Sequence, residues 1–123
     1  MRAFRIQSDS LGKSYFEEGV LPENFNLKSD YFFIATGIEN YQKRQHPAPR
    51  YQYVVTLKGK LEFTTSDTKS FILEPGIILI AKDTEGEGHS WKLLDDEEWH
   101  RIYIVPNQDK DDGFIINEEK KIK

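Results

Sequence analysis

The chain has 123 residues and a formal net charge of −4, from 17 basic and 21 acidic side chains. This length suits one domain with a single hydrophobic core, and 37% hydrophobic with 13% aromatic residues is too apolar for disorder. No basic cluster is present, which argues against nucleic-acid binding. Cysteine is absent, so disulfides, thiolate catalysis and cysteine-ligated zinc are excluded.

The sequence also argues against a membrane partner. No apolar run approaches the ~20 residues that a transmembrane helix requires. The N-terminal residues 1–13 lack the apolar stretch of a secretory signal. We therefore predict a cytoplasmic protein.

The N-terminal part predicts short strands. Residues 3–7 alternate weakly between apolar and polar and suit an edge strand, and residues 13–17 suit a second one. Residues 30–38 are aromatic and β-branched on both faces, which predicts a strand covered on each side.

A stiff segment precedes the next strands. Pro47 and Pro49 fix their own φ and push the residue before each of them into extended geometry, so His46 lies on a rigid backbone. Turn residues such as Lys58-Gly59 and Pro75-Gly76 separate the strands that follow at intervals of about ten residues, typical of an antiparallel barrel or sandwich. Those strands are predicted at 51–57, 61–65, 69–73, 77–81, 89–94 and 99–105.

The predicted organisation is a single all-β domain across residues 1–123. Its core is expected at about residues 31–105, with the N-terminal strands 3–17 and the C-terminal tail 107–123 peripheral. The four carboxylates at 95–98 join two predicted strands and suit a solvated hairpin tip.

Alternation along a strand indicates which side chains share a face. Gly86 and Gly88 precede His89 and indicate a loop shaped for close approach of another segment. The strands that follow His46 and begin at His89 give a set of candidate pocket residues: Arg50, Gln52, Val54, Thr56, His89 and Trp91.

The third histidine, His100, is also a candidate pocket residue. It alternates in phase with Ile102 and Ile104, whose apolar side chains indicate the interior. The neighbouring Arg101 is then expected to face outward.

These residues resemble the motifs of the cupins, small β-barrels of the jelly-roll type. The first cupin motif contains two histidines, a glutamate and a closing glycine. His46 stands at the first histidine position, Gln52 at the glutamate position and Gly59 at the closing glycine, while Ala48 replaces the second histidine.

The second cupin motif contains glycine, then Pro-x-Gly, then histidine and asparagine. Gly76, Gly86 and His89 follow it with two extra residues after Gly76, while Thr84 replaces the proline and Leu93 the asparagine.

The resemblance covers about residues 31–105 and implies a cupin-like double-stranded β-helix, a jelly-roll barrel. It points to a branch of small single-domain cupins with a His-Pro-Ala-Pro-Arg stretch and an Asp-Thr-x-Gly-x-Gly-His loop, here residues 46–50 and 83–89.

The resemblance further implies a divalent metal, Zn²⁺, Ni²⁺ or Fe²⁺, held by His46, Gln52 and His89 inside the barrel. His100, or Asp83 or Glu87 from the 83–89 loop, would complete the shell. Each residue also has a structural interpretation: His46 as a rim histidine bonded to a backbone carbonyl, His100 as a core histidine and Gln52 as an ordinary polar group of the barrel.

Three functions stay open from the sequence. The first is a metal-dependent enzyme for oxygenation, isomerisation or hydrolysis of a small molecule. The second is a non-catalytic barrel that binds or senses a small ligand. The third is a structural or assembly role, in which the barrel forms a homodimer through its N-terminal strands and through the exposed aromatic residues Tyr31, Phe32 and Phe33.

Overall fold

The structure is a computed structural model that describes residues 1–95, 98–107 and 111–117, with the backbone alone at positions 40 and 41. Part of the acidic run at 95–98 and much of the tail 107–123 lie outside the described residues. No helix in the described ranges is long and apolar enough to cross a membrane. The elements within these ranges are β1 (Arg2–Ser8), β2 (Ser14–Val20), β3 (Ser29–Ala35), the helical turn α1 (Asn40–Lys43), β4 (Gln52–Lys58), β5 (Leu61–Thr65), β6 (Ser70–Leu73), β7 (Ile78–Ala81), β8 (His89–Leu93), β9 (His100–Pro106) and β10 (Ile115–Ile116).

The strands form two sheets. The larger has the order β10-β2-β1-β7-β4-β9-β3, and the smaller has the order β6-β5-β8. Strands β1 and β7 pair in parallel, and the other pairs are antiparallel. The all-β prediction is confirmed, but the two sheets are not closed into a barrel.

The core lies between the sheets and is built mainly from aromatic rings. Phe4 of β1 stacks on Phe71 of β6 with ring centroids 4.2 Å apart, and Phe63 of β5 lies 5.4 Å from the same ring. Strand β5 alternates buried and partly exposed positions as the pleat of a half-buried strand requires. Each fully buried ring of this kind contributes roughly 2–3 kcal/mol of apolar burial.

Strand β1 lies inside the larger sheet, between β2 and β7, and not at an edge. Its Ala3 and Ile6 are fully buried, and Phe4 belongs to the core. The prediction that residues 3–17 are peripheral is therefore wrong. The reason is the parallel pairing of β1 with β7, which joins distant parts of the chain and leaves no local mark in the sequence.

Strand β3 is the edge strand that was expected to be covered on both faces. Phe32 and Ile34 are 65% and 67% exposed, so one face is open. Phe33 points to the other side, where its ring stacks on Tyr103 of β9 at 4.9 Å. Only one face of β3 is therefore covered by the described residues.

The segment around Asp112 is anchored to the outer face of the larger sheet. Arg5 and Lys82 donate hydrogen bonds to Asp112 Oδ2 at 2.9 and 3.2 Å, and Tyr53 Oη donates to the Asp112 carbonyl at 2.6 Å. Burial alone would raise the pKa of the Asp112 carboxyl, but hydrogen bonds from the Phe114 N–H, Arg5 and Lys82 lower it overall. Burial, helped by nearby groups, raises the pKa of Tyr53. This part of the predicted peripheral tail is thus integral to the fold.

Candidate functional site

A cavity of about 300 Å³ lies between the two sheets. Its wall combines aromatic and aliphatic side chains with a smaller set of polar and cationic groups. No acidic side chain of the described residues lines it. The lining residues are Phe33, Ala35, Gln42, His46, Ala48, Pro49, Arg50, Gln52, Val54, Phe63, Leu79, Ala81, His89, Trp91, Trp99, Arg101 and Tyr103.

His46 and His89 meet at this cavity. Their backbones form an isolated β-bridge, in which each N–H donates to the other residue's carbonyl at 2.9 and 3.0 Å. Their imidazole rings lie 5.6 Å apart, centroid to centroid. The rigid Pro47 that follows His46 keeps the segment extended, so the bridge holds both rings at one place.

The bridge depends on Gly88. This residue has a φ of +74°, and a Cβ atom there would overlap the carbonyl of His46 and the nitrogen of Pro47. Gly86 has a φ of +81°, and a Cβ there would overlap the carbonyl of Gly12. The close approach that the two glycines indicated is confirmed, with a different segment lying against each of them.

Hydrogen bonds orient both imidazoles. The Nδ1 atom of His46 lies 2.6 Å from the Arg44 carbonyl oxygen, and Nδ1 of His89 lies 2.6 Å from Oδ2 of Asp83. A carbonyl and a carboxylate are acceptors, so Nδ1 carries the proton in both rings. In the neutral form of each ring, Nε2 carries the lone pair, and no described residue donates a hydrogen bond to it.

Asp83 is the buried support of His89. Its side chain is 0% exposed, and its backbone carbonyl accepts a hydrogen bond from Ala48 N–H at 2.9 Å. The second carboxylate oxygen, Oδ1, is buried and has no hydrogen-bond partner among the described residues. The carboxylate therefore interacts with His89 and does not reach the cavity as a ligand.

Gln52 and Arg50 line the cavity together. The Oε1 atom of Gln52 accepts a hydrogen bond from Arg50 Nη1 at 3.0 Å. The guanidinium of Arg50 also lies over the ring of Phe33, 5.4 Å from its centroid. Gln52 is thus placed near the two histidines, with its amide oxygen already bonded to a cation.

Two predicted pocket residues lie elsewhere. His100 is half-exposed on the outer face of β9 and pairs with Glu98 through Nε2 at 3.1 Å. Thr56 is buried and accepts a hydrogen bond from Trp99 Nε1 at 3.1 Å, but it does not line the cavity. The inward direction predicted for His100 is wrong because its phase partners, such as Ile102, belong to the outer face of β9. By contrast, Val54 and Trp91 do line the cavity.

Comparison with protein-family models and with curated proteins identifies no relative of this chain. The chain matches no protein-family model and no curated protein. The likeness to cupins accordingly rests on the motif residues of the sequence alone.

Arg101 is the functional candidate that was expected to face outward and instead faces in. It is 2% exposed and lines the cavity between Trp99 and Tyr103, whose rings lie 4.6 and 5.4 Å from its guanidinium carbon. A signal for this placement exists in the sequence. Trp99, Arg101 and Tyr103 alternate in phase, and two large aromatic residues mark the more buried face of a strand.

The donor atoms fit a divalent metal only in part. His46 and His89 offer two free Nε2 atoms, and Asp83 holds His89 as the carboxylates behind metal-bound histidines do. Within the described ranges, however, no three His, Asp or Glu side chains come together as a metal-binding group. A divalent ion here would need further ligands from water or from a bound molecule.

Proposed function

We propose that this chain is a cupin-like double-stranded β-helix whose cavity binds a small organic molecule. Support for the architecture comes from the nested pairing: β4 pairs with β9, and β5 pairs with β8. A long hairpin folded over into two facing sheets would pair its strands in this order. Support for the function comes from the convergence of His46 and His89 on a cavity with aromatic walls.

The cavity has the composition of a ligand site. Small-molecule sites are mostly apolar, with a few polar groups that set the orientation of the ligand. The volume of this cavity, about 300 Å³, lies at the lower end of the range for small-molecule sites, roughly 300–1,000 Å³, which suits a small metabolite. The location we predict for the protein is the cytoplasm.

Binding can be measured directly because both tryptophans of the chain, Trp91 and Trp99, line the cavity. We expect members of a fragment library to shift both indole N–H signals in a ¹⁵N-edited NMR spectrum and to change the tryptophan fluorescence. Val54→Phe fills the cavity and should abolish both responses. Val20→Phe places the same ring on an exposed position outside the cavity and should leave them unchanged.

A library that leaves both indoles unperturbed would contradict the proposal. So would fragments that bind Val54→Phe as tightly as the wild type, because their site would then be outside the cavity.

A second candidate function is a metal-dependent enzyme. The observation in its favour is the pair of free Nε2 atoms on His46 and His89, with the buried Asp83 behind one of them. A divalent ion supplies Lewis-acid chemistry to a bound substrate. Against it, Arg50 and Arg101 line the same cavity and repel a cation. The metal content of tag-free protein decides between the two candidates.

We also propose that the chain forms a homodimer through the open face of β3. Phe32 and Ile34 are exposed there and continue the outer surface of β9, where they pair with Ile104 and Ile102. Phe33, which the sequence-based hypothesis places at the dimer interface, lines the cavity instead. Large exposed apolar surfaces of this kind mark protein interfaces.

The double variant Phe32→Glu/Ile34→Glu is expected to convert the dimer to a monomer, because four charges would be brought together at a symmetric interface. Light scattering coupled to size-exclusion chromatography measures the mass. Leu11→Glu is the control, since Leu11 is an exposed leucine on the β1–β2 turn. A wild-type protein that is already monomeric would refute the interface.

A further inference from the structure

We propose that the ligand of this cavity is a small organic carboxylate and that Arg101 binds its negative charge. The inference rests on the proposed small-molecule function and adds the chemical class of the ligand. It starts from a buried cation whose counter-ion the described part of the chain does not contain.

Arg101 uses only part of its hydrogen-bonding capacity within the protein. Its Nε donates to Tyr103 Oη at 2.9 Å, and its Nη1 donates to the carbonyls of Gly37 and Trp99 at 2.9 and 2.6 Å. A guanidinium has five N–H donors, and these bonds account for three of them. The two N–H groups of Nη2 have no acceptor among the described residues, and they belong to a side chain that lines the cavity.

The partners of Arg101 are all neutral, although the side chain is almost completely buried. Arginine keeps its charge at any physiological pH, so it cannot avoid the cost of burial by losing a proton. Buried charges in proteins are normally paired because an isolated one is expensive to desolvate. No carboxylate of the described residues forms a salt bridge with Arg101.

Arg5 shows how this chain treats an arginine that it uses structurally. Its side chain is 19% exposed, more than that of Arg101, yet it forms salt bridges to both Glu17 and Asp112 at 3.0 and 2.9 Å. Arg101, the more buried arginine, has no such partner among the described residues. The difference indicates that the anion paired with Arg101 comes from outside the chain.

A second arginine lines the cavity. The hydrogen bond of Arg50 goes to the neutral amide of Gln52, and no acidic side chain of the described residues lines the cavity. Two arginines in one cavity of a protein with a net charge of −4 favour an anion at this place.

The apolar walls of the cavity indicate that the anionic ligand has an apolar body. Trp91, Trp99, Phe33, Val54 and Leu79 form apolar surfaces around the cationic groups. An inorganic anion would leave these surfaces facing water, whereas a carboxylate with a hydrocarbon or aromatic body covers them. The small volume argues against nucleotides. A monocarboxylate with a compact apolar body fits both the charge and the walls.

The test compares acids with their uncharged amides. Benzoate and hexanoate are titrated against benzamide and hexanamide, with inorganic phosphate as a further arm, and binding is followed by tryptophan fluorescence and by the indole N–H signals of Trp91 and Trp99. We expect the acids to bind at least roughly 10-fold more tightly than the amides, since a hydrogen bond to a charged group contributes about 1.5–3 kcal/mol.

Single-residue variants test which arginine binds the negative charge of the ligand. Arg101→Met keeps the length of the side chain and should remove the preference for acids over amides. Arg50→Met, at a less buried position, should reduce it while leaving the fold intact, which guards against misfolding of the Arg101 variant. Arg2→Met removes an exposed arginine far from the cavity and should change nothing.

The possible outcomes distinguish failure of the carboxylate assignment from failure of the small-molecule pocket. Amides that bind as tightly as the acids would leave the small-molecule pocket standing and overturn the assignment of Arg101. Phosphate that binds more tightly than both acids would overturn the carboxylate class. Failure of acids and amides alike, at millimolar concentration, would overturn both proposals.

Discussion

Replacing Gly88 with alanine is expected to destabilise the protein by about 3–5 kcal/mol and to open the cavity. The added methyl group would overlap the carbonyl of His46 and the nitrogen of Pro47, and backbone atoms cannot rotate away as a flexible side chain can. A φ of +74° adds roughly 1–2 kcal/mol of strain for a residue with a Cβ. The two hydrogen bonds of the His46–His89 bridge would be lost as well. Urea denaturation measures the change in the free energy of unfolding.

Gly76→Ala is the matched control. Gly76 also has a positive φ, +98°, but a Cβ there meets no atom within 4 Å. Strain alone should then lower stability, by about 1–2 kcal/mol. If both variants lost the same stability, the overlap with His46 would not matter, and the bridge would not be what holds the two imidazoles together. Tryptophan fluorescence reports separately whether the cavity survives in Gly88→Ala.

The local features of this fold could be predicted from the sequence because each has a local cause. The strand rhythm after His46 follows from alternation and turn residues, and Gly59, with a φ of +115°, lies between β4 and β5. The two strands are not a hairpin, however, as a two-residue turn at Lys58-Gly59 would predict, because β4 belongs to the larger sheet and β5 to the smaller one. The close approach at Gly88 followed from glycines that flank a histidine. The stiff proline segment indicated that His46 was fixed in place. What the sequence left open was the identity of the segment lying against each glycine.

The features that could not be predicted depend on long-range pairing. Strand β1 is internal because it pairs with β7, and nothing in the alternation of residues 3–7 indicates a parallel partner. The face of β9 was assigned wrongly because both of its faces carry apolar side chains. Ile102 lies on the outer face beside Ile34 and Val55, while Trp99 lies inside. Alternation gives the two faces of such a strand but not which of them is inside.

The error at β9 hid the residue on which the ligand inference depends. When Ile102 is assigned to the interior, Arg101 is assigned to the outer face of β9. An arginine on an exposed face does not indicate a ligand-binding site. With the faces of β9 as the structure has them, Arg101 is a buried cation in a cavity that no acidic side chain of the described residues lines. A one-residue change of phase therefore alters the functional interpretation as well as the packing, because the period of a strand is two.

Removing the Asp83 carboxylate is expected to release the ring of His89. In Asp83→Ala the buried Nδ1–H loses its acceptor, which costs about 1–3 kcal/mol of stability, and the proton is free to move to Nε2. Asp83→Asn keeps an acceptor oxygen of the same size and is the control. The ¹⁵N chemical shifts of the imidazole report the tautomer directly and need no metal or ligand.

The same variant separates the two candidate functions. If the histidines bind a divalent ion, Zn²⁺ added to tag-free protein should bind in a one-to-one ratio, and Asp83→Ala should weaken that binding by about 10- to 100-fold, because a carboxylate behind a ligating histidine fixes its tautomer and basicity. His46→Ala and His89→Ala should abolish it, while His100→Ala, on the outer face, should not. Zn²⁺ that binds all of these proteins equally would exclude the paired imidazoles as its site. The tautomer change in Asp83→Ala would still be expected, since it depends only on the hydrogen bond between Asp83 and His89.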